Sequence, residues 1–434
     1  MKLNTASLIA FRSFRRSRRK DQYRSRPLLG ALLGVSLSLI PLVAVINISE
    51  GMIEGIVNRF LETDSYHLQI FSYTSKTEDD FQAEKEAVLT IPEIKYAFLE
   101  RKGAGMAYSD TANTGVAVRA VERDIWETDE GFRRYIEVRD GAFDLSEDRS
   151  IVLGEAIADK LGVVPGDSVK ILTGKVFPNG RYIPRVTPFT VTGIVSSGYQ
   201  DLDRLWVFIP YDMGWKILSD ETSQTLLGIK TIDPHGNLNQ IINRIGTVSV
   251  GPNWRAYTWE ALNRSELNSY QTTRSMLVVI MAMLVLVAVI NVSSSLIMLI
   301  VENRQSIGVL KCLGASPAGI QRVYRLTGLF VGIGGALLGC GAGLLISRYI
   351  NTILAIVNGL GRLVQRLAAP LTGGGAEEFS LLNKAYYLQV IPVNLQWDWV
   401  ITVGIGAALL SWVTSTVPAA RAGRIRPLDI IRKF

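Results

Sequence analysis

Four apolar stretches, Leu28–Ile48, Met276–Val301, Leu326–Ile346 and Trp399–Val417, constrain this 434-residue chain more than any other feature. A helix of about 20 mainly apolar residues matches the hydrocarbon thickness of a bilayer, and a helix satisfies its own backbone amides there. None of the four carries a charge in its interior, so none reads as a proton relay or an ion site. The first is too long for the apolar core of a secretory signal. Ile48-Ser-Glu-Gly-Met-Ile53 then runs on as helix without a small-residue cleavage pattern, so the stretch reads as a retained anchor.

Charge sets the orientation. Residues 1–26 hold nine Lys/Arg and one acid, Asp21; the segment Glu302–Arg325 and the tail after Val417 are also basic. Together these segments hold 18 of the 46 basic residues and 3 of the 39 acids, which leaves 28 basic against 36 acidic residues elsewhere. Basic residues close to span ends stay on the cytoplasmic side, so both termini are expected there. A nucleic-acid patch at Arg15–Arg26 is the competing reading, disfavoured by the adjoining span.

The expected organisation is a basic, amphipathic cytoplasmic N-terminus (1–26), a first span (27–49), a large outer domain (50–274) and a second span (275–301). A cytoplasmic loop (302–325), a third span (326–348), an outer loop (349–398), a fourth span (399–417) and a basic tail (418–434) follow. The fold class is an α-helical membrane protein with four transmembrane helices plus an α+β outer domain of two subregions. Cys312 and Cys340 fall outside that domain, so it must fold on its own apolar core. Strands are expected at His67–Tyr73, Val116–Val121, Ser150–Leu153, Ser168–Leu172, Thr187–Val195 and Leu205–Ile209. Helices are expected at Glu78–Leu89, at Asn237–Ile245 and at Glu155–Leu161, which Gly162 closes. Between two of the strands, Lys175–Arg185 reads as an exposed hairpin-like loop with Pro-Asn-Gly at its tip. In the outer loop, Gly373–Gly375 marks a flexible insertion.

A search for catalytic groups finds no candidate residue. His67 and His235 are the only histidines and sit in no metal or dyad pattern, and the chain has no GxxxxGK[ST] phosphate loop. No cofactor, metal or catalytic site is expected in this chain, and ATP with its Mg would be bound by a partner. In the third span Gly328, Gly332, Gly335, Gly339 and Gly343 follow small-xxx-small spacing, the pattern that lets helix backbones approach closely, within the chain or across a dimer.

The segment Val301–Pro317 carries a more specific pattern. Arg304, Ile307, Leu310, Lys311, Gly314 and Ala315 fill R-x-x-I-x-x-L-[RK]-x-x-G-A, with Gly308 and Leu313 between them. This segment, the Gly-rich third span and the closing Val417–Arg432 resemble FtsX/MacB/LolC-type permeases. Ile307, Leu310 and Leu313 read as an apolar stripe that a groove on a partner would bury. The resemblance implies that the partner is an ABC ATPase dimer.

Asn47–Ile70, Gly193–Asp203 and Tyr386–Val393 are similar to the LolC/LolE lipoprotein-releasing branch. Phe177, Pro178, Asn179, Gly180, Arg181 and Pro184 are similar to the hook with which a LolC-type subunit captures the carrier LolA. The same resemblance implies a second permease subunit, identical or sibling, and a cavity lined by apolar groups such as Met52, Ile56, Tyr270 and Met276. Acyl chains of a lipoprotein would enter this cavity from the outer leaflet of a bacterial inner membrane. The Gly-rich stretch Asn358–Asn383 is longer than that branch leads one to expect. The alternatives are a MacB-type efflux or FtsX-type mechanotransmission permease, and an ATPase-independent scaffold or channel.

Overall fold

The computed structural model describes residues 26–72, 77–176, 182–219, 223–248, 254–372 and 393–424. The amphipathic N-terminus, the hairpin tip 177–181, Gly373–Gly375 and most of the basic tail lie outside the described residues. The chain divides into two compact units, a helical bundle and an α/β domain built around Ile53–Asn268.

Among the described residues, four helices are long and apolar enough to cross a membrane. Helix α1 (Arg26–Phe60) contains the first apolar stretch and runs past it without a break. In the α/β domain, β1 (Leu68–Ser72), α2 (Glu78–Val88), β2 (Ile94–Tyr108), β3 (Asn113–Val121), β4 (Glu137–Gly141), β5 (Ser150–Gly154) and α3 (Glu155–Leu161) come first. Then follow β6 (Ser168–Val176), β7 (Tyr182–Ser196), β8 (Trp206–Pro210), α4 (Tyr211–Ile217), β9 (Ser223–Thr231), α5 (Leu238–Thr247) and β10 (Trp254–Thr258). Helix α2 begins at a capping box in which Thr77 and Asp80 satisfy each other's backbone amides. Helix α3 ends where Gly162 takes the left-handed φ of 66°.

The ten strands pair in the order β10-β1-β9-β2-β3-β8-β5-β7-β4, with β6 joining β7 back to β2. The strands β2-β3-β8-β5-β7-β6 therefore close a six-membered circuit. Alternate side chains of that circuit, among them Val118, Ile151, Ile171, Phe189, Val207 and Ile209, form one apolar cluster. On the other side of β2, the sheet β10-β1-β9-β2 packs Leu68, Ile70, Leu99 and Ile229 with Phe81 and Val88 of α2 and Ile245 of α5. Strand β2 belongs to both subregions; its first half pairs β9 and its end pairs β6.

The bundle continues with α6 (Arg264–Glu302), α7 (Arg304–Cys312), α8 (Pro317–Arg348), α9 (Ile350–Thr372), α10 (Trp397–Thr414) and α11 (Thr416–Arg424). Of the Gly-rich stretch Asn358–Asn383, residues Asn358–Thr372 belong to a 23-residue helix and the remainder lies outside the described residues.

The glycines of α8 explain the packing. A Cβ added to Gly335, Gly339 or Gly343 would lie 2.7–2.8 Å from the Cβ of Val35, Leu39 or Val43 on α1. One added to Gly332 would lie 2.7 Å from the Cβ of Ser411 on α10, and one on Gly328 would overlap Ser415. Of the two arrangements the spacing allows, the small residues serve contacts within the chain. Ser36 Oγ adds a hydrogen bond to the Gly335 carbonyl across the α1–α8 contact, at 3.2 Å.

Candidate functional site

Three constellations follow from this framework: a coupling face, a clasp at one end of the bundle, and a socket in the α/β domain.

The coupling face is α7 and the turn after it. Asn303 separates α7 from α6, and Gly314, at φ 89°, reverses the chain before Ser316 caps α8 and Pro317 occupies its first turn. The three apolar residues of the expected stripe do not stay together. Ile307 is 2 % exposed and packs into the bundle core beside Gly308, whereas Leu310 is 40 % and Leu313 79 % exposed. The reason is helical phase: three-residue steps rotate the side chain 60° short of a full turn each time. The outward apolar residues are therefore Val309, Leu310 and Leu313, with Arg304 exposed and Ala315 half-buried.

Behind this face lies a cavity of about 150 Å³ lined by Leu299, Ile307, Leu310, Ala315 and Tyr324 among others. Lys311 Nζ donates to the Gly423 carbonyl at 2.7 Å and so ties α7 to α11. The whole face can present an apolar tip to a partner while remaining fixed to two further helices.

At the opposite end of the bundle, Glu50 of α1 pairs with Arg274 of α6 at 3.1 Å and accepts from Gln396 Nε2 at 3.2 Å. The Gln396 backbone N–H donates to Asn47 Oδ1, and the Arg274 guanidinium lies 5.4 Å from the Trp399 ring centre. This clasp joins three spans, and no motif in the sequence marks it.

Of the expected cavity residues, Tyr270 and Met52 are half-buried within the bundle and Met276 is 62 % exposed. Met276 heads an exposed apolar run along α6 through Val279, Ile280, Met283, Leu286 and Ile290. Ile56 is half-buried and belongs to the α/β domain. Of the hook residues, Phe177–Arg181 lie outside the described residues. Pro184 is exposed on β7, where it pairs with Gly174. The strands extend further than expected and reach Val176 and Tyr182, so the connecting loop is shorter than Lys175–Arg185.

The third constellation is one that sequence reasoning missed. Helix α1 ends in a π-turn, Leu61–Ser65, and the last carbonyls of any helix lack partners within it. Here side chains from four strands supply them. Lys230 Nζ (β9) donates to Glu62 O at 2.8 Å, and Arg119 Nη1 (β3) to Thr63 O at 2.7 Å. Lys102 Nζ (β2) donates to Asp64 O at 3.1 Å, and Gln69 Nε2 (β1) to Ser65 O at 2.8 Å. Three of the four donors are cations at a helix C-terminus, where the helix dipole favours positive charge.

Carboxylates balance these cations. Lys230 pairs with Glu62 and with buried Asp129, Lys102 with Asp64, and Arg119 bidentately with Glu100. Burial alone would raise the Glu62 carboxyl, but His67, whose Nε2 lies 3.6 Å away, and the charge and hydrogen bond of Lys230 outweigh it and hold it down to about 2. Burial would lower the Arg119 guanidinium, and Glu100 more than offsets this, so it is raised. Burial, with Glu100 next to it, pushes the Tyr66 hydroxyl well above its ordinary value.

Tyr66 has φ 50°, the only positive φ at a non-glycine position among the described residues, and costs on the order of 1–3 kcal/mol in strain. Its hydroxyl donates to Glu100 Oε2 at 2.8 Å, and its ring lies over Gly228, where a Cβ would overlap it. The socket grips the end of α1 through charge, hydrogen bonds and shape together. A sequence signal did exist: Arg119 interrupts the otherwise apolar strand run Val116–Val121 and Lys230 directly follows the apolar run Leu226–Ile229, which is where a buried ion pair shows.

The four helices long and apolar enough to cross a membrane, an α/β sheet domain and an exposed apolar turn after the second of those helices are the features of a membrane permease. Residues 28–248 match the family of MacB-like periplasmic core domains, and residues 278–427 match the FtsX-like permease C-terminal family. The chain belongs to the MacB-like family and is an ABC transporter permease of the LolC/LolE type. It is 24% identical over 426 residues to the lipoprotein-releasing system transmembrane protein LolC of Neisseria meningitidis serogroup B, covering 96% of each chain. It is 22% identical over 440 residues to LolE of Haemophilus influenzae, covering 99% of each. The periplasmic region of MacB from Actinobacillus actinomycetemcomitans aligns with 48% of this chain and 96% of its own, at 13% identity and a TM-score of 0.30.

Proposed function

We propose that this chain is the permease subunit of a transporter that lifts lipid-anchored proteins out of the outer leaflet of a bacterial inner membrane and passes them to a LolA-like periplasmic carrier. The observation that carries this reading is the similarity, over nearly the whole of both chains, to proteins named for lipoprotein release. In this reading both termini and α7 are cytoplasmic, and the α/β domain is periplasmic. An ABC ATPase dimer, which binds ATP and Mg, holds Val309, Leu310 and Leu313. A second permease subunit, identical or sibling, faces the exposed apolar run of α6 that begins at Met276. The acyl chains of the lipoprotein enter between the two.

Energy must be supplied from outside the chain. Membrane burial stabilises an acyl chain by about 0.8 kcal/mol per CH₂, so a protein with two or three chains does not leave spontaneously. Closing the ATPase dimer draws the α7 faces together. The movement reaches the α/β domain through α1, whose end the socket holds. The hairpin Phe177–Arg181 and Pro184 would then receive the carrier.

The test is depletion of this protein in its own bacterium, with lipoproteins followed by membrane fractionation, together with photo-crosslinking from position 181. Retention of lipoproteins in the inner membrane and a crosslink to a LolA-like protein are expected. Normal delivery to the outer membrane without a crosslink would overturn the reading in favour of efflux or mechanotransmission.

A further inference from the structure

The cavity behind the coupling face plays no part in the function proposed above. It lies where three helices meet: α6 contributes Leu299 to its wall, α7 contributes Ile307 and Leu310, and α8 contributes Ile320, Val323 and Tyr324. Ten described side chains line it and none of them is charged, so it offers an ion no partner. Its volume, about 150 Å³, equals that of an engineered protein cavity with apolar walls that stays dry and admits benzene. One ring-sized molecule therefore fits. The way in is open, because Leu310 is 40 % exposed and Ser306 is exposed beside it.

Two of the polar side chains on the wall are satisfied within the protein. Asn303 Nδ2 donates to the Leu299 carbonyl at 2.8 Å, and Thr327 Oγ1 donates to the Val323 carbonyl at 3.0 Å. Tyr324 is different. It is 8 % exposed, yet its hydroxyl makes no hydrogen bond among the described residues. A tyrosine buried to this degree ordinarily finds a partner for its O–H, and here the oxygen is left to a molecule in the cavity. That molecule is not a lipid chain. Leu299 stands three residues before Glu302 and Tyr324 one before Arg325, so the cavity lies at the edge of the apolar layer. The acyl chain of a lipid starts at that level and runs towards the midplane, past the cavity rather than into it.

The geometry points to a binding site for one small neutral aromatic molecule that carries a single hydrogen-bonding group, a phenol or its like, held by the Tyr324 hydroxyl. The apolar wall takes the ring, and Tyr324 Oη gives the one directional contact, as donor or as acceptor. An apolar wall with a few placed polar groups is the usual make-up of a small-molecule pocket. The ligand touches α6, α7 and α8 together, and so braces α7 in the position that presents Val309, Leu310 and Leu313. Binding does not depend on what those three residues contact, so the site stands or falls separately from the lipoprotein reading.

The test uses the full chain in nanodiscs, with empty nanodiscs as the baseline for partition into lipid. The probes are para-fluorophenol, fluorobenzene and para-fluorobenzoate, each titrated in turn and followed by fluorine NMR line width. Saturable binding of the two neutral probes above the baseline, at one molecule per chain, is expected, and none of the benzoate. Tyr324→Phe should weaken para-fluorophenol roughly fivefold, the worth of one hydrogen bond, and leave fluorobenzene unchanged. Filling the space with Ala315→Leu or Val323→Phe should abolish binding of both. Whichever of these elutes monodisperse is used, and if neither does, Tyr324→Phe alone decides. Binding no greater than in empty nanodiscs would overturn the inference, whether a lipid chain, a neighbouring side chain or water fills the space. So would equal binding of the benzoate, a para-fluorophenol affinity indifferent to Tyr324→Phe, or undiminished binding in a filled variant.

Discussion

Lys230→Met tests the socket most directly. Lys230 is almost fully buried and its ammonium reaches two carboxylates, at 2.7 Å from Glu62 and 2.6 Å from Asp129, besides donating to the Glu62 carbonyl. Methionine keeps the length of the stem and removes the charge. Asp129, which is 1 % exposed, then faces Glu62 without a cation between them, and the end of α1 loses one of its four donors. Removal of one partner from a buried pair costs about 3–5 kcal/mol, a large share of the roughly 5–15 kcal/mol that holds a domain folded.

The readout is hydrogen exchange followed by mass spectrometry on the full chain in nanodiscs, in peptides covering Leu61–Ser72. A loss of about 3 kcal/mol corresponds to exchange roughly 150-fold faster, at tenfold per 1.4 kcal/mol. The triple variant Glu62→Gln, Asp129→Asn, Lys230→Met, which leaves no bare charge, should recover most of that loss. Two results would refute the reasoning: less than tenfold acceleration in the single variant, or a triple variant as unprotected as the single one.

The other predictions concern acid, helix packing and the coupling face. The Glu62 carboxyl, at about 2 when folded against an ordinary 4.5, stabilises the fold fully above the ordinary value. That contribution is lost as pH falls from about 4.5 towards 2, so the stability of the α/β domain should decline over that window; Glu62→Gln should be less stable than the parent above pH 4.5 and decline less steeply below it. In α8, Gly339→Leu would place a Cβ 2.8 Å from the Ser36 carbonyl and 2.7 Å from Leu39 Cβ, whereas Gly341 has open space beside it. Gly339→Leu should lower the melting temperature of the purified chain by an overpacking cost of about 1–3 kcal/mol or more, and Gly341→Leu should leave it unchanged. Leu313→Asp should leave folding intact yet weaken co-purification of the ATPase about 30-fold, the roughly 2 kcal/mol of an interface hot spot. Ile307→Asp, at a core position, should instead reduce the yield of folded protein. Equal behaviour of the two would count against the division of α7 into inner and outer faces.

Much of the architecture was legible in the chain. Helix α3 closes at Gly162 as read, because a left-handed residue after an apolar helix is a local requirement. Strands β1, β3, β5 and β8 were found from their alternation or apolar runs. Strand β2 was not, for its sequence Ile-Lys-Tyr-Ala-Phe-Leu-Glu-Arg-Lys-Gly-Ala-Gly-Met-Ala-Tyr holds charges and glycines that argue for a loop. Glu100 and Arg101 are buried in it nevertheless, because Arg119 neutralises the first, while Thr225 and the Leu218 carbonyl accept from the second.

The sequence by itself determined the four spans and their punctuation, because crossing a bilayer is a demand that each 20-residue segment meets alone through length and desolvation. Only the tertiary structure decided which face of a residue counts. It turned Ile307 into the core and Leu313 out of it. It set Gly328 and Gly332 against α10 but Gly335, Gly339 and Gly343 against α1, and it drew Lys102, Arg119 and Lys230 from three strands onto one helix end. Those outcomes depend on the phase of one helix against another and on partners as far apart as Ser36 and Gly335, 299 residues, or Lys230 and Glu62, 168 residues, and no local pattern encodes them.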